Sequence, residues 1–165
     1  MRTRKVKRLN LQDFQKYGMY HSMLCMDTER LGPPPVEFYR DILKVDLGGQ
    51  TPSFSVTQIT KRPLIAEKFE YHSYTGEAFL PLDGDVVVHV APAGKRETIP
   101  YEKIELFWIP KETMVVIHPG VWHAAPFVIG EGTVHILNVL PERTYANDCQ
   151  AVVFPDEEKI ENVLP

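Results

Sequence analysis

Two stretches of the chain set imidazoles and carboxylates at spacings suited to divalent-metal chemistry. The first runs from Glu70 through His72 and Glu77 to Gly84 and reads E-x-H-x4-E-x6-G. Residues two apart on a strand share a face, so Glu70 and His72 point the same way. A turn over Ser73–Gly76 then allows Glu77 to return to the same place. The second stretch is His118-Pro119-Gly120-Val121-Trp122-His123, where a Pro-Gly turn holds His123 at the mouth of another strand pair. Two imidazoles with one or two carboxylates supply N and O ligands for a divalent ion and leave positions open for substrate. Burying Glu70 and Glu77 together without a cation would force one of them to protonate. The plainer alternative has Glu70 pointing outward and His123 as an ordinary hydrogen-bonded histidine of the sheet.

The elements that must position these groups read as short β-rich runs separated by Gly, Pro and Asp. They cover 54–60, 68–72, 78–82, 85–91, 106–109, 114–118, 123–128 and 134–139. That rhythm predicts an all-β sandwich or barrel. In 85–91, Val86, Val88 and Val90 share one face, and Val87, His89 and Ala91 share the other. Asp83-Gly84 reads as a tight hairpin turn in which glycine supplies a positive φ. Ahead of the barrel, Asn10 caps one short helix that Gly18 ends. Leu31-Gly-Pro-Pro-Pro35 is an extended connection, and the acidic segment from Pro155 suggests a short terminal helix.

At 165 residues, with 44% hydrophobic and 24% charged residues, the chain suits one soluble domain. Its expected division is an N-terminal extension and helix over 1–52, a barrel core over 53–140 and a tail over 141–165. A formal charge of −4 argues against a nucleic-acid partner. No apolar run reaches the roughly 20 residues of a membrane-spanning helix. The N-terminus lacks a signal-peptide core, so the cytoplasm is expected, and Cys25 and Cys149 read as free thiols. Arg2, Arg4, Lys5, Lys7 and Arg8 read as a solvated terminus or edge strand. Open barrel edges and this strand-like terminus suggest a homodimer.

The two motifs resemble those of the cupin superfamily, H-x-H, three or four residues, E, six residues, G, followed by P-x-G-x-x-H. Glu70 stands in place of the first histidine and His118 in place of the proline, while Gly120 and His123 keep the G-x-x-H core. The resemblance implies a double-stranded β-helix, or jelly-roll, barrel. Most of residues 9–160 further resembles the ureidoglycolate lyase family, formerly called ureidoglycolate hydrolases. Phe14, Tyr17 and Gly18 match its F-x-x-Y-G opening. Glu70-x-His72, Ala78-Phe79-Leu80-Pro81, Val121-Trp122-His123 with an upstream His118, and Asn147-Asp148-Cys149 match its later segments.

That resemblance implies cleavage of (S)-ureidoglycolate to glyoxylate and urea, in the recovery of purine nitrogen from allantoin. The implied metal ligands are Glu70, His72, Glu77 and His123, holding Ni, Mn, Fe, Co or Zn. His118 is the first candidate for the acid that protonates the departing nitrogen, with Glu77 as a second catalytic group. Gln58, Phe79, Trp122 and Arg143 are candidates for substrate binding. The chain departs from the family at three places: Ala124 where a second histidine follows W-H, with Ala125 inserted after it; Gln58 where an arginine is expected; and Glu77 where glutamine is common. Those departures keep other readings in view. They are a metal-dependent sugar epimerase or isomerase, an oxygenase, and a non-catalytic cupin that binds a small molecule.

Overall fold

The computed structural model describes residues 1–95 and 98–165. Strand β1 (Arg2–Arg8) leads into helix α1 (Leu11–Phe14), then β2 (Gly18–Ser22), β3 (Arg30–Leu31), β4 (Phe38–Tyr39), β5 (Pro52–Thr60), β6 (Ile65–Ala66), β7 (Lys68–Tyr71), β8 (Glu77–Pro81) and β9 (Val86–Ala91). After a 3-10 turn at Tyr101–Lys103 come β10 (Glu105–Ile109), β11 (Thr113–Ile117), β12 (Trp122–Val128), β13 (Thr133–Pro141), helix α2 (Thr144–Asn147), β14 (Gln150–Val153), a second 3-10 turn at Asp156–Glu158 and β15 (Ile160–Val163).

These strands build an eight-stranded sheet ordered β14-β7-β12-β9-β10-β1-β15-β6 and a five-stranded sheet ordered β2-β11-β8-β13-β5, with β3 and β4 paired separately. The fold is strand-rich and cupin-like, with only short helices. Its large sheet is curled and partly closed, which differs from the fully closed jelly-roll barrel expected.

The curl explains why β9 is buried on both faces. Val86, Val88 and Val90 pack with Phe79, Phe107, Ile117 and Ile136 between the two sheets. Val87 and Ala91 pack with Val6, Phe69, Trp122, Phe127 and Ile160 inside the curl. Two apolar layers on opposite faces of one strand bury a near-continuous apolar run.

Three local expectations are corrected. The basic N-terminus is not an edge strand, because β1 runs parallel to both β10 and β15 in the middle of the large sheet. Its cations meet acidic partners there, Arg2 pairing with Glu102 and Glu158, and Lys7 with Glu105. Asp83-Gly84 is not a hairpin, because β8 pairs with β11 and β13 whereas β9 pairs with β10 and β12. The chain crosses between sheets at this point, and a Cβ on Gly84 would lie 2.5 Å from Cγ2 of Val134. Close approach, not a positive φ, requires the glycine there. The acidic tail forms a single 3-10 turn and then β15, since parallel pairing with β1 takes up Ile160–Val163. Helix α1 is capped as expected, the Asn10 side chain accepting from the Asp13 amide at 3.0 Å, but it ends at Phe14, and Gly18 opens β2, where a Cβ would lie 1.9 Å from the Val116 carbonyl oxygen.

Candidate metal centre

Strands β7 and β12 face each other with Glu70 opposite His123 in register. Alternation turns Phe69 and Tyr71 into the curl and leaves Glu70 and His72 on the side facing the second sheet. The same alternation sends Trp122 into the curl, against Tyr71, while its neighbour His123 turns inward. The Pro-Gly turn ties the two motifs together. Gly120, at φ 79°, donates its amide to the His72 carbonyl at 2.6 Å. A positive φ at that position favours glycine.

Ligand atoms of Glu70, His72 and His123 all lie within 4.8 Å of one another. Glu77 enters from β8, its Oε2 3.3 Å from His72 Nε2 and 3.2 Å from His123 Nε2. The outward ring nitrogens fix the tautomers. His72 Nδ1 donates to the Asp148 carbonyl at 2.6 Å, and His123 Nδ1 donates to the Val121 carbonyl at 3.0 Å. Each neutral imidazole therefore presents a lone pair on Nε2. The other Glu77 oxygen accepts from Asn138 Nδ2 at 2.8 Å, and Asn138 Oδ1 accepts from the Thr57 hydroxyl at 2.8 Å.

Nε2 of both rings and Oε2 of Glu77 thus converge inside the site, and among the described residues nothing else reaches buried His123 Nε2. A positive charge at their meeting point, a proton on an imidazole or a divalent ion, holds them together. Burial raises the Glu77 carboxyl, but His123 and His72 outweigh it and hold the group well below the usual carboxylate range. Burial likewise lowers the His123 pKa, and Glu77 more than reverses that. A divalent ion held by Glu70, His72 and His123, with Glu77 against both imidazoles, fits this donor set.

The centre opens on a cavity of about 90 Å³ lined by Thr57, Glu77, Phe79, Ile136, Asn138 and Tyr145. Phe79 is among these lining residues. Gln58 is exposed, since alternation along β5 gives the inward position to Thr57. His118 is exposed on the turn, its amide bonded to the Tyr17 carbonyl. Arg143 is exposed and pairs with Glu142. Trp122 lies on the opposite face of its strand. None of these four lines the cavity.

Residues 2–161 match the model of the family described as ureidoglycolate lyase. The chain belongs to the ureidoglycolate lyase family. It is therefore a lyase-type enzyme of the cupin superfamily. Among solved structures, a dTDP sugar isomerase from Desulfovibrio desulfuricans G20 is similar at 14% identity and a TM-score of 0.51, over 81% of this chain and 85% of that one. Oxalate decarboxylase from Bacillus subtilis is similar at 14% identity and a TM-score of 0.45, over 63% of this chain and 24% of that one. No curated protein matches the sequence.

Sequence reasoning missed four residues that shape this lyase's site. Asp148 caps the turn after His72, its carboxylate accepting from the amides of Ser73 and Tyr74 at 2.7 and 2.8 Å. Asn138 and Thr57 orient Glu77. Tyr145, although 64% exposed, borders the cavity from α2 with its ring against His72, and the nearby Glu77 and Glu70 charges favour its protonated hydroxyl. The closing Asn147-Asp148-Cys149 segment was the available signal for Asp148. The departure at Ala124–Ala125 also has a structural form. The β12–β9 register shifts between Ala124 and Phe127, so the extra residue makes a β-bulge there. Pro126 fits the bulge because it lacks an amide to donate.

Proposed function

We propose that the chain is a metal-dependent ureidoglycolate lyase whose ion is held by Glu70, His72 and His123 and whose proton carrier is Glu77. The observation that carries this reading is the convergence of ligand atoms of Glu70, His72 and His123 within 4.8 Å of one another, with Glu77 Oε2 against both imidazoles. A divalent ion there would supply Lewis acidity to the hydroxyl and carboxylate of a 2-hydroxy acid. Cleavage of the carbinolamide moves one proton from the hydroxyl oxygen to the departing nitrogen as the C–N bond breaks and the aldehyde forms. Glu77 can receive the first and deliver the second, because Asn138 holds one of its oxygens while the other lies against both imidazoles at the edge of the cavity. The protonated Tyr145 hydroxyl can donate to the ureido carbonyl.

The size of the cavity favours a small substrate. About 90 Å³ is well below the roughly 300 Å³ and upward of pockets that hold larger ligands, which suits a small hydroxy acid. We read the whole chain as one domain, since β1 and β15 from its two ends lie side by side in the sheet that carries β7 and β12. Unpaired Cys25 and Cys149 suit the reducing cytoplasm. The free edge and exposed face of β5 support a homodimer.

The test is release of glyoxylate with urea from (S)-ureidoglycolate by metal-loaded protein. Glu77→Gln is expected to bind metal and lose about 10²–10⁴ in kcat. No product from fully loaded wild-type protein would overturn the assignment.

A further inference from the structure

A second group of metal-ligating side chains lies far along the fold from the centre above, at the outer end of β2. The chain leaves β2 at Ser22 and turns through Met23 and Leu24, the Met23 amide donating to the Glu112 carbonyl at 2.8 Å and the Cys25 amide to the Ser22 carbonyl at 3.1 Å. This turn carries Cys25 and Asp27 back over His21, giving H-x3-C-x-D. Ligand atoms of His21, Cys25 and Asp27 all lie within 4.8 Å of one another.

The histidine is already oriented as a ligand. His21 Nδ1 lies 2.7 Å from the Ser22 carbonyl oxygen, which can only accept, so Nδ1 carries the proton. His21 Nε2 faces Asp27 Oδ1, 2.7 Å away, so imidazole and carboxylate already meet at one point. Beside the same carboxylate sits the exposed Cys25 thiol. A thiol, an imidazole and a carboxylate thus converge on one point at the solvent-facing end of the strand.

We propose that His21, Cys25 and Asp27 form a second metal site, for a borderline-soft divalent ion of the Zn²⁺ class. Zinc accepts sulfur, nitrogen and oxygen donors together, at about 2.0–2.3 Å each, and commonly takes three protein ligands with water in the fourth position. A thiolate in the set disfavours Mg²⁺ and Ca²⁺, which select oxygen. Tetrahedral ligands at those distances stand about 3.3–3.8 Å apart. The three groups reach that spacing by small side-chain rotations, and exposure of Cys25 and Asp27 leaves them free to rotate. Binding displaces the Cys25 proton to solvent and links the turn to edge strand β2. The site is independent of the lyase reading, because it shares no residue with the cavity.

Site-resolved alkylation tests it. In full-length protein, Cys25 and Cys149 are separated by peptide mass spectrometry after timed exposure to iodoacetamide, with and without Zn²⁺. Zn²⁺ is expected to slow Cys25 alkylation at least tenfold, reversibly with a chelator. His21→Gln and Asp27→Asn should each abolish that protection. Glu70→Gln together with His72→Gln should leave it intact. With Co²⁺, a thiolate charge-transfer band in the near ultraviolet should be present in Cys149→Ser and absent in Cys25→Ser. Unchanged Cys25 alkylation in Zn²⁺ would overturn the proposal. So would equal protection in His21→Gln and Asp27→Asn, which would mean an adventitious ion only, held by a single thiol.

Discussion

At the scale of single residues, the metal centre depends as much on what holds the imidazoles as on the imidazoles themselves. Glu70, His72, Glu77 and His123 were legible because their spacing is local and strand alternation alone decides their direction. Asp148 was not, because it reaches His72 from 76 residues away and only the docking of α2 and β14 brings it there. His118 misled for a related reason, since its short separation from His123 says nothing about the direction of a side chain on a turn. Asp148 acts through His72, so it is a positioning residue. Its carbonyl fixes the ring, and its carboxylate caps the amides of Ser73 and Tyr74. Asp148→Ala should weaken metal retention about 10–100-fold, read by competition with a chromogenic chelator. Asp148→Asn keeps one acceptor and should fall between the two. Equal affinity in all three proteins would show that the cap does not orient His72.

At the scale of elements, the runs of apolar residues identified most barrel strands, but not which sheet each joins. Alternation inside a run reports the faces of one strand. Partner choice depends on crossings, and the crossing at Asp83-Gly84 looks in sequence like a hairpin. Asp83 and Asp85 lock it from both sides. Asp83 accepts from the His135 amide and ring on β13 at 2.8 and 2.6 Å, and Asp85 accepts from Trp108 Nε1 on β10 at 2.8 Å. Gly84 sits between them with no room for a methyl group against Val134. Gly84→Ala should therefore cost about 1–3 kcal/mol, the usual price of overpacking. A lower urea midpoint at unchanged slope would show it. A midpoint equal to wild type would mean that β13 yields at no cost and that the crossing tolerates a side chain.

At the scale of the whole molecule, the strands contributed by the two chain ends were least legible, because β1 is polar at every position but Val6 and both strands gain their places through long-range pairing, β1 with β10 and β15, and β15 also with β6. Pairing on both sides removes the N-terminus as an edge for self-association and leaves β14, β6, β2 and β5 as sheet edges, of which β5 is the longest. Phe54 and Val56 are 69% and 62% exposed on its outer face. Light scattering should give a dimer for the wild type and a monomer for Phe54→Glu with Val56→Glu, and a monomeric wild type would remove the idea. Inside the curl, closure depends on His89, whose Nε2 is 2.7 Å from Asn162 Oδ1 and so joins β9 to β15. Burial lowers the His89 pKa to about 4 from an ordinary 6.5, against the smaller opposing effect of Asn162. The unfolded chain takes up a proton at this residue as pH falls through 6.5, and the folded chain does not until about 4. Stability from neutral His89 is thus complete above pH 6.5 and declines as pH drops toward 4, by about 3 kcal/mol in all. Subtracting the pH profile of His89→Gln from that of wild type, both metal-free, isolates this contribution from Glu77 and His123. Urea unfolding between pH 4 and 7 should show the difference shrinking steadily with acid. A difference that stays constant across the range would mean that His89 titrates alike in the folded and unfolded chain, so that its burial does not hold it neutral.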